Sequence, residues 1–262
     1  MVVRFLLSLF MILPLYGAGD GWLSRLDTKV EVGLYQPILS GDIVNLVAPS
    51  TFKNDFAYHD AKASLFALSL RHDYDYIPNI KLSYFNMQDS KSATLSQTAK
   101  VADGTFSGAV SSKIDYQVFS LLLYKGFKLK GRKTSLFGRR FYSGDLEFDI
   151  GLNTQLFQWR FDVQNLSNLT QAPSWITVSE FIPLPYAGMK YYWYDYTVSV
   201  DVAALAFSRA KSTLYKASVD YLLVDNLYLS AGYLYEQFKV LEGSDTVNFT
   251  SSGLKVSFKY GF

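Results

Sequence analysis

The segment from Gly253 to Phe262 constrains the fold more tightly than any other part of the chain. Every even position in it is apolar (Leu254, Val256, Phe258, Tyr260, Phe262), and the odd positions hold Gly253, Lys255, Ser257, Lys259 and Gly261. An uninterrupted repeat of two marks a strand with one apolar face. The same alternation recurs upstream. Leu227, Leu229, Ala231, Tyr233 and Tyr235 oppose Tyr228, Ser230, Gly232, Leu234 and Glu236, and Tyr215, Ala217, Val219, Tyr221 and Leu223 oppose Lys216, Ser218, Asp220 and Leu222. Between these runs Asp225-Asn226 is a two-residue turn signal. Val198, Val200, Val202 and Ala204 repeat the pattern, as do Leu146, Phe148, Ile150 and Leu152 against Asp145, Glu147, Asp149 and Asn153. Further strands fit near 28–36, 61–72, 79–88, 113–124 and 187–195, which gives about ten strands and no convincing helix. Segments 104–110 and 174–182 are candidates for more, so the expected range is eight to twelve.

Composition fits this pattern. The 262 residues are 49% hydrophobic, yet the mean hydropathy is only +0.07, because apolar side chains are spread along the strands instead of gathered into runs. A bilayer-crossing helix needs about 20 mostly apolar residues. The longest apolar stretch, Phe5 to Tyr16, has about a dozen and contains Ser8 and Pro14, so a polytopic helical membrane protein is excluded. An aromatic content of 17% with a net charge of +2 excludes disorder. Twenty Tyr and twenty Phe exceed what a soluble core of this size takes up, and a lipid interface accommodates the rest. The absence of cysteine removes disulfides, thiolate metal sites and cysteine nucleophiles. A pI near 8.5 is too weakly basic to indicate nucleic acid. Arg4, the apolar run and Gly17-Ala18-Gly19 before Asp20 read as a secretory signal peptide over residues 1–18, cleaved near 17–19, with 19–262 as one domain.

Face chemistry decides between a soluble sandwich and a membrane barrel, because both alternate. Three features favour an all-β, antiparallel, up-and-down transmembrane β-barrel. The strands run to about 9–13 residues, longer than the usual five or six. The polar face carries Lys29, Glu31, Lys81, Asp115, Glu147, Asp201, Lys216, Asp220, Glu236, Lys255 and Lys259, which are expected to line a crowded lumen and pair there. Aromatic residues also cluster at strand ends, as in Tyr191-Tyr192-Trp193-Tyr194-Asp195-Tyr196, where an interfacial girdle belongs.

These features make the sequence similar to bacterial outer-membrane β-barrels, and the terminal Phe262 with its apolar predecessors resembles the C-terminal signal read by the barrel assembly machinery. More narrowly, Ile77-Pro78-Asn79-Ile80-Lys81-Leu82-Ser83-Tyr84, Pro183-Leu184-Pro185-Tyr186-Ala187 and the hairpins from Leu214 to Gln237 resemble a proteobacterial family of small outer-membrane proteins of unknown function. The basic stretch from Lys125 to Arg140 is longer than that family's usual tight turn. The resemblance implies a fold, a Gram-negative outer-membrane location and contact with outer-membrane lipids and lipopolysaccharide, but no activity. With both termini periplasmic, strand ends near 72–79, 125–144, 195–197 and 225–227 share that side, and 37–60, 89–112, 162–186, 208–212 and 241–249 are expected to be outward loops. The 125–144 connection is then a periplasmic or interfacial excursion, and surface labelling of a cysteine at Ser135 in intact cells contradicts it.

Candidate sites are few. The two histidines, His59 beside Asp60 and His72 beside Asp73, lie about 43 Å apart if they share one strand, so they form no common site and read as loop or turn residues. Lys125, Lys128, Lys130, Arg132, Lys133, Arg139 and Arg140 hold no acid among them and read as a solvated turn or an anion-binding patch. Asp145, Glu147 and Asp149 read as a cation-selective strip or as partners for neighbouring Lys and Arg, and the cost of unpaired charge in a narrow lumen favours pairing. Ser50-Thr51-Phe52-Lys53 and Ser208-Arg209-Ala210-Lys211 lack the other serine-hydrolase elements. No catalytic, cofactor-binding or metal residue is assigned. The expected function is a structural or interaction barrel with a largely filled lumen and functional outward loops. The alternative is a narrow porin-like channel, and an outer-membrane hydrolase or lipid-modifying enzyme has the least support.

Overall fold

The structure is a computed structural model describing residues 27–262 except 45–48, 59–60, 73, 75, 132, 137–138, 169, 207–209 and 243–244, with backbone only at 49, 133–136, 139–142, 242 and 245. The expected signal peptide and the His59-Asp60 pair lie outside the described residues. Among the described residues thirteen strands occur in chain order: β1 (Asp27–Val44), β2 (Pro49–Thr51), β3 (Ala63–Arg71), β4 (Asn79–Val101), β5 (Gly104–Leu129), β6 (Lys133–Leu136), β7 (Arg139–Tyr142), β8 (Asp145–Asn165), β9 (Ser174–Trp193), β10 (Tyr196–Ala206), β11 (Ala210–Val224), β12 (Leu227–Glu242) and β13 (Asp245–Gly261). Ten of them pair antiparallel with their neighbours in the order β1, β3, β4, β5, β8, β9, β10, β11, β12, β13. The ring closes where β13 pairs with β1, from Lys29↔Gly261 to Val44↔Thr246. The small strand β2 adds to the far end of β1, and β6 and β7 form a separate hairpin between β5 and β8.

The ten wall strands correspond one to one with the ten read from the sequence. Segments 104–110 and 174–182 add no strand; they lengthen β5 and β9. The β3–β4 connection with its turn at 76–77, the turns at 194–195 and 225–226 and the β6–β7 hairpin lie at the end of the barrel that carries both ends of the closed wall, here called the terminal end. Asp225-Asn226 is the expected two-residue turn, with Asn226 at φ 61°.

The expected outward loops are the main correction. Much of 37–60, 89–112, 162–186 and 241–249 is strand, and at the distal end β4 and β5 meet across only Ala102-Asp103. The misreading has one cause, visible in β8. Its outer face is apolar from Leu146 through Phe148, Ile150 and Leu152 to Leu156, then turns polar at Gln158, Arg160, Asp162 and Gln164. The inner face does the reverse, running from Glu147, Asp149, Asn153 and Gln155 to Phe157, Trp159, Phe161 and Val163. The apolar set thus changes from even to odd positions at Leu156-Phe157, and a period-2 reading stops at such a break although the strand continues. In β5 the break falls at Val118-Phe119, between inward Ile114, Tyr116 and Val118 and outward Phe119, Leu121 and Leu123.

Asp115 is a second correction. The sequence pattern puts it in the lumen, but Ile114 and Tyr116 on either side of it are buried and inward. Its carboxylate is on the outer face, accepting hydrogen bonds from Gln88 (2.9 Å) and Gln117 (3.1 Å) in the polar zone above the break.

Outside the break the barrel wears an apolar belt. Leu34 is 73% exposed, Leu254 70% and Phe181 67%, values that no water-facing wall of a soluble barrel sustains together. From Leu146 to Leu156 the belt takes up about 33 Å of strand, which at a tilt of about 40° spans about 25 Å, the height of an outer-membrane barrel's hydrocarbon zone. Replacing Ile150, 63% exposed at mid-belt, by Arg is therefore expected to lower folding stability in lipid vesicles by about 2–4 kcal/mol. Gln164→Arg, above the break, is expected to change it by less than about 0.5 kcal/mol. Urea titrations of the two variants in vesicles measure the difference.

Candidate functional site

The lumen divides at the same level as the outer face. Its distal half is filled with aromatic side chains. Residues 52–58 fold into the mouth, held by backbone hydrogen bonds from Phe52 to Gly41 (3.1 Å), from Tyr58 to Phe52 (3.0 Å) and from Ala61 to Pro37 (3.0 Å). Asp55 secures the turn by accepting from the Thr51 amide (2.7 Å) and hydroxyl (2.9 Å). Phe52, with no exposed surface, meets Trp159, Phe161 and Phe249 edge-on at 5.8, 5.3 and 5.8 Å. Phe56 packs on Phe161 at 4.9 Å, and Phe157 on Phe238 at 4.1 Å. These are the offset and edge-to-face geometries that ring quadrupoles favour. Tyr58 accepts a hydrogen bond from Ser112 (3.2 Å), and burial pushes its hydroxyl pKa well above the ordinary phenol range.

The terminal half holds charge. Glu147, almost fully buried, accepts from Arg71 (2.7 Å), Tyr192 (3.0 Å) and Lys190 (3.3 Å), and Lys190 also donates to Asp149 (2.6 Å). Glu31 binds Lys255 and the Ser257 hydroxyl (2.7 Å). Lys259 donates to both oxygens of Asp220 (2.6 and 2.7 Å), and Tyr186 to Asp201 (2.6 Å). Glu236 stands apart and deeper, beside Gln155 at 3.4 Å. Gly188 makes room for this network, since a Cβ there would lie 2.4 Å from the Tyr186 hydroxyl and 2.9 Å from Asp201.

Between these groups lie two cavities. One of about 230 Å³ at the terminal end is lined by Arg71, Lys81, Lys190, Asp201 and Lys259 among others, and one of about 110 Å³ lies deeper, against Lys81, Lys216 and Glu236. Above them the aromatic fill begins.

The lumenal residues named from the sequence therefore fall in this half, except Asp115. Of the acidic trio, Glu147 and Asp149 pair with lumenal cations, and Asp145 pairs with Lys128 at 3.0 Å. Lys125 donates to the Tyr74 carbonyl (2.7 Å), so two residues of the basic stretch are engaged at the barrel end. The side chains of Arg132, Lys133, Arg139 and Arg140 lie outside the described residues. His72 is a turn residue. Its Nε2 is 3.1 Å from the Pro78 carbonyl, and its Nδ1 accepts from the Tyr74 amide at 3.1 Å. Asn165 is likewise structural, its side-chain oxygen capping the turn by accepting from the Ser167 and Asn168 amides. Sequence reading missed Arg71, Lys190 and the Phe52-Phe56-Tyr58 plug. The first two lie inside segments read as strands, 61–72 and 187–195, where neither face is uniformly polar and so no lumenal set stands out. The plug has no periodicity, and only the surplus of inward aromatic residues in β8 signals that something must fill the mouth.

Fold and lumen together define a ten-stranded membrane β-barrel with a plugged distal half and a charged terminal half. No protein-family model and no curated protein matches the sequence. Among solved structures, the translocator domain of autotransporter NalP from Neisseria meningitidis is similar at 13% identity and a TM-score of 0.46, covering 99% of this chain and 96% of that one. Outer membrane protease OmpT from Escherichia coli gives 10% identity and 0.44, covering 89% and 97%. The attachment invasion locus protein Ail of Yersinia pestis, in complex with the heparin analogue sucrose octasulfate, gives 5% and 0.39, covering 90% and 99%.

Two substitutions separate the halves. Phe161→Ala removes the ring that contacts Phe52, Phe56 and Tyr58 and is expected to cost about 3–5 kcal/mol. Glu147→Gln leaves Arg71 and Lys190 with one carboxylate fewer and is expected to cost about 3 kcal/mol. Denaturant midpoints in vesicles, with unchanged slope, measure both.

Proposed function

We propose that this chain is an integral outer-membrane barrel with a structural or interaction role, closed to passage and presenting its distal strands outward. The observation that carries this reading is the plug, in which the Phe52, Phe56 and Tyr58 side chains have no exposed surface and occupy the mouth against Trp159 and Phe161. About ten strands enclose little more than side chains fill, and rings in contact leave no water path. The outward contact surface is then the projecting polar wall of β4, β5, β8 and β9 in place of loops. In β5 it extends roughly 43 Å of strand from Gln117 to Gly104.

Two partners follow from the same orientation. Phe262 faces outward, 57% exposed, with its amide donating to the Thr28 carbonyl (2.9 Å), which suits recognition by the barrel assembly machinery. At the distal margin of the belt Arg160 lies 5.5 Å from the Trp175 ring and is held by Asp162, the level at which lipopolysaccharide phosphates would lie. The export signal and the periplasmic position of the terminal end belong to this reading. An enzymatic role has no support from His72, whose ring nitrogens are both occupied in its turn.

The competing reading, a narrow channel, draws on the two polar cavities of the terminal half. Planar-bilayer recording separates the two. Wild-type protein is expected to give no unitary steps, and Phe52→Ala/Phe161→Ala to give them. Reproducible steps from the wild type overturn the closed-barrel reading in favour of the channel.

A further inference from the structure

The projecting wall of β4, β5, β8 and β9 carries its outward side chains in ranks set by the strand register. Gln88, Asp115, Arg160 and Thr177 form one rank across the four strands. The next rank outward is Ser90, Lys113, Asp162 and Trp175. Neighbours in this mesh lie about 4.8 Å apart across strands and about 7 Å apart along them.

The chemistry of the mesh selects a partner. Asp115 and Asp162 cancel Lys113 and Arg160, so the two ranks exert no net pull on a polyanion. Arg160 is already spent on Asp162, donating three hydrogen bonds of 2.7–3.1 Å. Asp115 accepts from Gln88 and from Gln117, one rank below. Such bonds hold the amides and carboxylates in place, and each of these groups has further lone pairs or N–H groups to offer. Trp175, 53% exposed, is the one large apolar side chain in the two ranks, whereas a protein interface assembles its core from several. Planar amides, carboxylates and hydroxyls around a single indole suit a sugar ring, which has hydroxyls at its edge and an apolar C–H face to lay on the indole.

The position of the mesh selects the source. It continues the lipid-facing belt, since Leu156 on β8 is followed on the same outer face by Gln158 and Arg160. A lipid packed on the belt therefore carries its headgroup up this wall. The headgroup layer of a phospholipid is about 5–8 Å deep. Trp175 is paired with Asp162, which at about 3.4 Å per residue and a tilt of about 40° stands about 15 Å above Leu156. A headgroup of linked sugars reaches that far and a phosphate group does not.

We propose that the outer wall of β5, β8 and β9 binds the uncharged sugars of a glycolipid in the surrounding leaflet, with Trp175 as the stacking plate and Asp162 and Thr177 as its hydrogen-bonding neighbours. This site rests on the outward-facing membrane reading above, whose polar wall it supplies with a partner.

Saturation-transfer NMR tests it, with refolded protein in detergent and lipopolysaccharide oligosaccharide stripped of acyl chains and phosphates as the probe. Wild type is expected to pass magnetisation to the sugar C–H protons. Trp175→Ala is expected to lower the transfer at least fivefold, Trp175→Phe to keep at least half of it, and Trp193→Ala, at the terminal end, to leave it unchanged. Because the chain has no cysteine, single nitroxide labels give a second measurement that needs no loss of function. A label at Ser179→Cys is expected to broaden the sugar resonances, and one at Ser40→Cys, on β1, is not. Transfer only to the oligosaccharide that keeps its phosphates, equal transfer in Trp175→Ala, equal broadening from both labels, or stronger transfer to maltoheptaose, a free glucan, overturns the proposal. Heat-modifiable gel mobility of the same samples reports the barrel itself. A folded barrel without transfer overturns the sugar site and leaves the membrane reading standing, whereas a protein that is soluble without detergent and never heat-modifiable overturns both.

Discussion

The solvent outside the wall changes from lipid to water part-way along each long strand, and the rest of the structure depends on that change. Side chains alternate strictly between faces, so a strand crossing this boundary must move its apolar set from outside to inside. β5 does so at Val118-Phe119 and β8 at Leu156-Phe157. Below the boundary the apolar set faces lipid, and the inner face is free to carry charge. Above it the outer face meets water, and the inner face has to build a core of its own. The aromatic plug is that core. It is a consequence of strands that outrun the bilayer as much as a device for sealing a pore.

The charged half follows a different economy. Burying ions is unfavourable unless each finds a partner, and most here do: Glu147 collects Arg71, Lys190 and Tyr192, and Lys259 grips both oxygens of Asp220. The small residues among them keep these contacts short, as Gly188 does beneath Tyr186 and Asp201. Fixing long side chains in this way gives the lumen a defined shape, so the small spaces left over are specific in charge as well as in size.

Much of this was legible in the sequence, and the part that was not has a physical reason. Alternation from Leu254 to Phe262 and from Tyr215 to Leu223 yields strands, faces and the Asp225-Asn226 turn because one face meets lipid throughout. The distal extensions look like loops in the sequence because the same alternation reverses phase there, and a reversed phase resembles an ending. Asp115 faces outward because the rule that charges point into the lumen holds only below the boundary. Pairing of Arg71 on β3 with Glu147 on β8 joins strands that are not neighbours in the wall. No local pattern encodes a contact across the lumen.

The plug also answers a gap in the wall. β3 has only nine residues, pairing with β1 up to Tyr35 and with β4 up to Met87. Beyond those points β1 and β4 continue with no wall strand between them, which exposes backbone groups to unwanted pairing. The chain before β3 closes the β1 side of that gap: β2 pairs with Asp42–Val44, Phe52 donates to Gly41, and Ala61 donates to Pro37. On the way it drops Phe52, Phe56 and Tyr58 into the mouth. Elsewhere in the wall β10 is also short, and there β9 runs past it with Pro183 and Pro185 just beyond the last pairing, Tyr186↔Ala203. Proline offers no amide to an approaching strand, so this edge is blunted by composition where the other is covered by chain. Shortening β3 thus frees the segment that fills the barrel, and the filled barrel in turn supports the long strands that β3 leaves unpaired.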